Sequence, residues 1–486
     1  MITASHPILT CEEARVFEAG RFGGDEAKEW PAMQQAGRAI ARALLRDFQE
    51  IGGFPAEGRV LVLAGKGHNG GDALLAAQAV LAEFPAARVE VVFVFGERVL
   101  RPLAARAWRE LAHAGRDRAT AVREAKGAYD LVLDGVFGFQ FRPPAEARVV
   151  ELFAAVNALP IRLRAAVDLP SAGLFRADFT YATGILKAPV LAEFWATAGR
   201  VRYLDLGFFR GDEPGEQRVL TPAVLAPLAG WRSRDSDKRT YGHVFILGGS
   251  RSFPGAVLMC VRAALRSGAG LVTALVPESL VPAFAAQAPE AMWVGWPETP
   301  DGGLALEGFH LLAARLERAS ALVIGPGLGR EAETLALVRD VVTQAKVPLV
   351  IDADALQADV VGLGQAPRIL TPHAAELARI AAAVDERAVL VRKGPMTQIV
   401  AGGVTYHSCF GGPVLARGGS GDVLAGLIGG LLAQTPGEPL LAAVRGVAWH
   451  GLAADALARA HGQTAVVTTQ LLDFLPMALR ESTHEQ

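Results

Sequence analysis

Cysteine is scarce in this chain, with three in 486 residues. Cys11, Cys260 and Cys409 show neither metal-ligand spacing nor a pairing pattern, which argues against a disulfide framework and points to a reducing compartment. Net charge is nearly absent too. The 48 Lys and Arg against 50 Asp and Glu leave -2, so nothing in the composition attracts nucleic acid or an anionic membrane. Long apolar runs are missing: the most apolar late stretch, residues 423–433, is too short and glycine-rich to span a bilayer. The opening Met1-Ile2-Thr3-Ala4-Ser5-His6-Pro7 lacks the basic and apolar segments of a signal peptide, and no short repeat recurs. We therefore expect a cytoplasmic protein without nucleic-acid or membrane partners; separately from composition, we expect a homo-oligomer that acts on small molecules.

What is present suits compact α/β domains. Hydrophobic residues make up 51% and charged residues 20%, and the length allows two or more cores. Residues 59–64, 89–95, 131–134 and 164–168 read as buried strands, alternating with helical patterns near 32–45, 73–84 and 103–114. That alternation predicts a parallel sheet covered on both faces. The chain turns polar between residues 230 and 240, and a second series of the same kind begins at 242, with strands near 271–276, 321–325, 349–352 and 368–371. The expected architecture is two tandem three-layer α/β/α domains, residues 1–228 and 239–486, joined by a linker at 229–238.

Two glycine stretches stand out. Gly418-Gly419-Ser420-Gly421-Asp422 runs directly into an apolar helical pattern. Glycines bring bare N–H groups close to a ligand, and the first helical turn adds unpaired donors, so the stretch suits a phosphoryl group. Asp422 beside it could take a proton from a hydroxyl, as phosphoryl transfer to an alcohol requires. A tight turn with Asp422 as helix cap fits the same residues. In the first half, Gly65-Lys66-Gly67-His68-Asn69-Gly70-Gly71-Asp72 follows a strand, although Lys66 sits in no P-loop motif. Asn69, Asp72, Asp134 and Asp168 fall at strand ends, where doubly wound sheets bind ligands. Such oxygens suit a hard cation or a polar ligand, and each acid equally suits a cap or turn.

Together with Asp134-Gly135-Val136-Phe137-Gly138 and Val167-Asp168-Leu169-Pro170-Ser171, the first glycine stretch resembles the Rossmann-like N-terminal epimerase domain of bifunctional NAD(P)H-hydrate repair enzymes. The resemblance implies that His68, Asn69, Gly70, Gly71, Asp72 and Gly138 hold the hydrated dinucleotide and that Asp168 acts at the epimerised carbon. It also implies a potassium ion on Asn69, Asp134 and Ser171. His68, Ala73, Phe139-Gln140 and Ala172 stand where that family has asparagine, glycine, a threonine–glycine pair and glycine. A non-catalytic binding role for this domain therefore stays open.

In the second half, Gly248-Gly249-Ser250, Ser267-Gly268-Ala269-Gly270, Gly325-Pro326-Gly327-Leu328-Gly329, Asp352-Ala353-Asp354, Thr371-Pro372-His373 and Lys393-Gly394 precede the 418–422 stretch. In that order they resemble the ribokinase-like dehydratase domain of the same enzymes. The resemblance implies Asp422 as catalytic base and Gly327, Gly329 and His373 on the substrate. Lys393, Gly394, Pro395, Met396 and Thr397, with Gly418, Gly419, Ser420 and Gly421, would hold the nucleotide. It further implies ADP as co-substrate, with a magnesium ion, for dehydrating the S form after the first domain interconverts R and S. A ribokinase-like vitamin-precursor kinase is the alternative. His373 alone would also fit a helix cap, Asp352 and Asp354 a turn or substrate contact, and His450 and Asp455 packing or surface positions.

Overall fold

Capping chemistry starts the first helices. In a computed structural model, which describes residues 2–484, Glu13 N donates to Thr10 Oγ1 at 3.2 Å and Thr10 N to Glu13 Oε2 at 2.8 Å. This reciprocal box opens the helix Cys11–Phe22. Asp25 caps the next helix, Glu26–Phe48, which buries Trp30, Met33, Ile40, Ala41, Leu44 and Phe48. Two short strands, β1 (Ser5–Pro7) and, later, β9 (Gln217–Leu220), lie outside the sheet that follows.

The chain divides into two compact units. One spans His6–Thr221 with Ala458–Gly462, and the other is built chiefly on Pro222–Leu457. The first unit's strands are β2 (Arg59–Ala64), β3 (Arg88–Phe93), β4 (Ala119–Ala121), β5 (Tyr129–Gly135), β6 (Ile161–Val167), β7 (Phe179–Thr183) and β8 (Arg200–Leu204). They form a parallel sheet in the order β4-β3-β2-β5-β6-β7-β8. Along β2, Val60 and Val62 join one apolar cluster while Leu61 and Leu63 join the cluster on the opposite face. Burial on both faces is why β2 reads as an unbroken apolar run. The order reverses between β2 and β5, so the loops after these two strands diverge and leave a crevice.

The second unit repeats the plan with β10 (His243–Leu247), β11 (Leu271–Pro277), β12 (Met292–Trp296), β13 (Ala321–Ile324), β14 (Leu349–Ile351), β15 (Arg368–Leu370) and β16 (Ala388–Arg392), all parallel. The antiparallel strands β17 (Thr397–Ala401) and β18 (Val404–Ser408) extend the sheet beyond β16. Here the reversal falls between β10 and β13. The helix Ser420–Gln434 packs against this sheet and, alongside it, the helix Pro254–Arg266. A Cβ at Gly426 would stand 2.1 Å from Cys260 O, one at Gly430 1.9 Å from Ser267 Oγ, and one at Gly429 2.2 Å from Val323 Cγ2. These glycines are the contact surface of this helix. Among the described residues no helix is long and apolar enough to cross a membrane.

Candidate active sites

In the second unit, three neighbouring strands deliver three polar side chains to one point. Asp352 follows β14, Thr371 follows β15 and Lys393 follows β16. The buried Asp352 carboxylate accepts from Thr371 Oγ1 at 2.7 Å and from Lys393 Nζ at 2.8 Å through one oxygen. Glu376 Oε2 lies 4.0 Å from the same ammonium. Burial pulls the Lys393 pKa down, but Asp352 and Glu376 outweigh it and hold the pKa above its ordinary value.

The helix Ser420–Gln434 points its N-terminus at this cluster. Gly419, at φ +88°, makes the turn into it. A Cβ added at Gly421 would stand 3.0 Å from Lys393 Nζ and 3.8 Å from Asp352 Oδ2, so the glycine lets the ammonium and the helix start share one space. Asp422, in the first turn and half-buried, is pushed up to about 7, first by burial and then by the Asp352 charge, with Lys393 opposing. The arrangement offers a carboxylate able to accept a proton, a fixed cation and first-turn amides with no carbonyl partner inside the helix.

Across the crevice, Ser250 Oγ donates to Gly327 O at 2.8 Å, and Asp354 accepts from Gly329 N at 3.1 Å and Arg330 Nε at 2.9 Å. Gly327 is needed for packing, since a Cβ there would stand 2.4 Å from Phe253 O, whereas at Gly329 the nearest atom would be Ser250 Oγ at 3.9 Å.

In the first unit, the turn after β2 is crowded. A Cβ at Gly65 would stand 2.0 Å from Val136 O, and one at Gly135 2.5 Å from Asn69 O. Asn69 Nδ2 donates to Phe137 O at 3.0 Å and Val167 O at 2.9 Å, tying together the ends of β5 and β6. The buried Asp134 accepts from Ser171 Oγ at 2.6 Å, Ser171 N at 2.8 Å and Val136 N at 3.2 Å. All three are neutral donors, and burial pushes this carboxyl up to about 6 despite them.

Beside that knot lies a cavity of about 690 Å³ whose lining includes His68, Asn69, Asp72, Gly138, Phe139, Gln140, Asp168 and Lys187. Asp168, at φ +67°, meets Lys187 Nζ at 2.5 Å, with both side chains buried. A non-glycine residue held in that backbone region signals a position fixed by its surroundings.

The second-unit residues 244–477 match the family described as NAD(P)H-hydrate dehydratase, and residues 31–191 match the YjeF-related protein N-terminus. The bifunctional NAD(P)H-hydrate repair enzyme Nnr of Moorella thermoacetica is 34% identical, with 93% of each chain covered. Its namesake in Gloeobacter violaceus is 35% identical over 96% of this chain and 97% of that one. The chain belongs to the bifunctional NAD(P)H-hydrate repair enzyme family. A solved ADP/ATP-dependent NAD(P)H-hydrate dehydratase from Bacillus subtilis, co-crystallised with ATP and magnesium, is 30% identical and covers 52% of this chain and 94% of its own, with a TM-score of 0.46.

Within this family member, several expected ligand residues turn out to be occupied elsewhere. The helix after the first glycine stretch begins at His68 rather than near Ala73, so Asn69, Gly70 and Gly71 form its first turn. Gly70 and Gly71 are packing positions: Cβ atoms there would stand 2.3 Å from Gly65 O and 2.1 Å from Met33 Cε. Both are buried, and neither lines the cavity that His68, Asn69 and Asp72 share. His68 Nε2 lies 3.3 Å from Glu29 Oε2 at the cavity wall.

His373 caps the helix Ala374–Ile380, its Nδ1 accepting from Ala375 N at 3.2 Å and Glu376 N at 3.4 Å, while its Nε2 lies 3.4 Å from Glu376 Oε1. Ser420 turns its hydroxyl inward to His450 Nε2 at 3.5 Å, so the side chain faces the interior. Lys393, Gly394, Pro395 and Met396 connect β16 to Thr397, the first residue of β17. Gly418 is exposed just before the helix turn.

Sequence reasoning missed Lys187, Glu18 and the bracing role of Asp455. Lys187 carried a signal, a single cation inside the apolar run Ile185-Leu186-Lys187-Ala188-Pro189-Val190. Asp455, buried on the helix Pro439–His461, accepts from Gly411 N at 2.9 Å and steadies the approach to the 418–422 turn. Glu18 carried no sequence signal.

Proposed function

We propose that this chain repairs hydrated NADH and NADPH: residues 1–228 interconvert the R and S forms, and residues 239–486 dehydrate the S form using ADP, releasing AMP and phosphate. The observation that carries the reading is Asp422 at a helix N-terminus beside the Asp352–Lys393 pair. The hydrated ring has a hydroxyl on C6, and hydroxide leaves poorly. Asp422 takes the hydroxyl proton as the oxygen bonds to the outer phosphorus of ADP and the bond to AMP breaks. The ammonium of Lys393 and the amides at Gly421 and Asp422 stabilise charge on the transferred group. Loss of phosphate from C6 and of a proton from C5 then restores the dihydronicotinamide. A magnesium ion would arrive on the nucleotide, since it keeps its waters and needs few protein ligands.

In the epimerase unit, Asn69, Asp134 and Ser171 fit a potassium ion. Asp134 is a buried carboxyl with only neutral partners; the nearby Phe137 carbonyl accepts from Ser171 Oγ and Asn69 Nδ2, and Asn69 Oδ1, the hard oxygen of that amide, lies beside Gly138. Such an ion would neutralise that charge and attract a phosphate. Epimerisation should therefore be faster in potassium than in a large organic cation, and equal rates would remove the cation from the proposal. The dehydratase assignment is tested by Asp422→Asn, which should cut ADP-dependent dehydration of the S form by about 10²-fold or more. Near-normal turnover in the folded variant would refute Asp422 as base. Accumulation of a stable phosphorylated product in the wild type would favour the kinase alternative.

A further inference from the structure

The epimerase cavity holds more acid than its known ion pair uses. Asp168 is taken by Lys187, yet Asp72 and Glu18 line the same space with no ion-pair partner among the described residues. Asp72, on the helix His68–Glu83, is only 8% exposed, and its Oδ1 has no hydrogen-bond partner among the described residues. Glu18 reaches the cavity from the helix Cys11–Phe22, which lies outside residues 31–191 that match the N-terminal family description. A buried carboxyl oxygen left without a partner is costly unless a ligand or a proton completes it.

We propose that Glu18 and Asp72 are the catalytic acid and base of epimerisation, exchanging one proton each way with the oxygen on C6 of the hydrated ring. The inference rests on the epimerase reading above. In the step, the C6–O bond breaks with its electron pair going to oxygen, which takes a proton from one carboxylic acid and leaves as water. The ring-nitrogen lone pair forms the C6=N1 iminium. Water then adds to the opposite face of C6, the C=N pair returns to nitrogen, and the proton lost from that water goes to the other carboxylate. No oxidant or co-reactant enters, and one proton has moved between the two acids.

Both side chains are electrostatically suited to this exchange. Burial pushes the Glu18 carboxyl up to about 7, with Lys187 opposing and Asp168 and Glu29 adding to it. Burial also raises Asp72 well above the ordinary carboxylate range, reinforced by Asp168 and Glu18. The charged or titratable groups that line the cavity with Glu18 are Arg15 on its own helix, Glu29, His68 and Asp72 on the next two, the Asp168–Lys187 pair, and Lys66, Arg101, Arg142 and Glu146 from the surrounding loops. A carboxylic acid kept neutral near pH 7 beside a carboxylate is what a proton exchange at that pH requires.

The test compares Glu18→Gln, Glu18→Asp and Asp72→Asn in the full-length chain, following R-to-S conversion with thermal unfolding as the fold check. Glu18→Gln and Asp72→Asn should each lower kcat by about 10²-fold with KM little changed. Glu18→Asp should recover part of the loss, and the pH limb near 7 should vanish in Glu18→Gln. If Asp72→Asn unfolds the domain, the two Glu18 variants decide. Unchanged kcat in folded Glu18→Gln, or a rise in KM alone, would overturn the proposal. A wild type that does not speed epimerisation would instead overturn the epimerase reading itself.

Discussion

Asp422 sets a pH dependence that follows from its surroundings. With its pKa pushed up to about 7 by burial and Asp352, the carboxylate form needed to accept a proton is depleted as pH falls through that value. Dehydration of the S form should rise from pH 6 to pH 8 with a limb near 7, read from recovery of NADH absorbance. A rate flat across that window would mean that another group is the base. Ala172 illustrates a second kind of residue-level cost. It sits at φ +53° and ψ +17°, a left-handed conformation that costs an L-residue about 1–2 kcal/mol. Glycine relieves that strain but gains about 0.5–1 kcal/mol of unfolded-state freedom. Ala172→Gly should therefore stabilise the first unit by roughly 0.5–1 kcal/mol, seen as a higher urea midpoint at unchanged slope. The departure from the family's glycine was visible in the sequence. Its strained backbone was not, because only the fold fixes φ.

At the level of elements, the helix Ser420–Gln434 carries the proposed base at one end and the packing along its length. Gly426→Ala would drive a methyl into the Cys260 carbonyl and should cost about 1–3 kcal/mol through overpacking. Because the helix must shift to accept it, dehydration should fall while R-to-S conversion by the other unit is retained. Loss of both activities, or of neither, would contradict this. The buried parallel strands were legible as apolar runs for the same reason they are stable, namely that both faces are covered. Less legible was the ribbon from β16 to β18, even though the Gly402-Gly403 pair between β17 and β18 has the positive φ values, 56° and 77°, of a tight hairpin turn. The start of the helix at His68 was hidden by the glycines Gly70 and Gly71, which argue for a loop on propensity alone. Close packing against Gly65 and Met33 overrides that propensity.

For the whole molecule, two sheets with separate apolar cores each place a candidate site beyond the carboxyl ends of their strands. The glycine-rich turns and strand-end acids that marked these places were readable because their spacing is local. The Asp352–Lys393 pair and the Lys187–Asp168 pair were not, since each joins residues that follow different strands, 41 and 19 positions apart in the chain. A single chain with both sites makes chemical sense, because hydration of NADH gives two epimers and the dehydration step uses one. The deciding assay supplies pure R-form hydrated NADH with ADP to the intact protein and follows the return of NADH absorbance. Recovery should run to completion faster than the R form epimerises spontaneously, and Asp422→Asn should stop it while still converting R to S. Recovery no faster than spontaneous epimerisation would show that the first unit is not an epimerase and that the two-step repair does not occur in this chain.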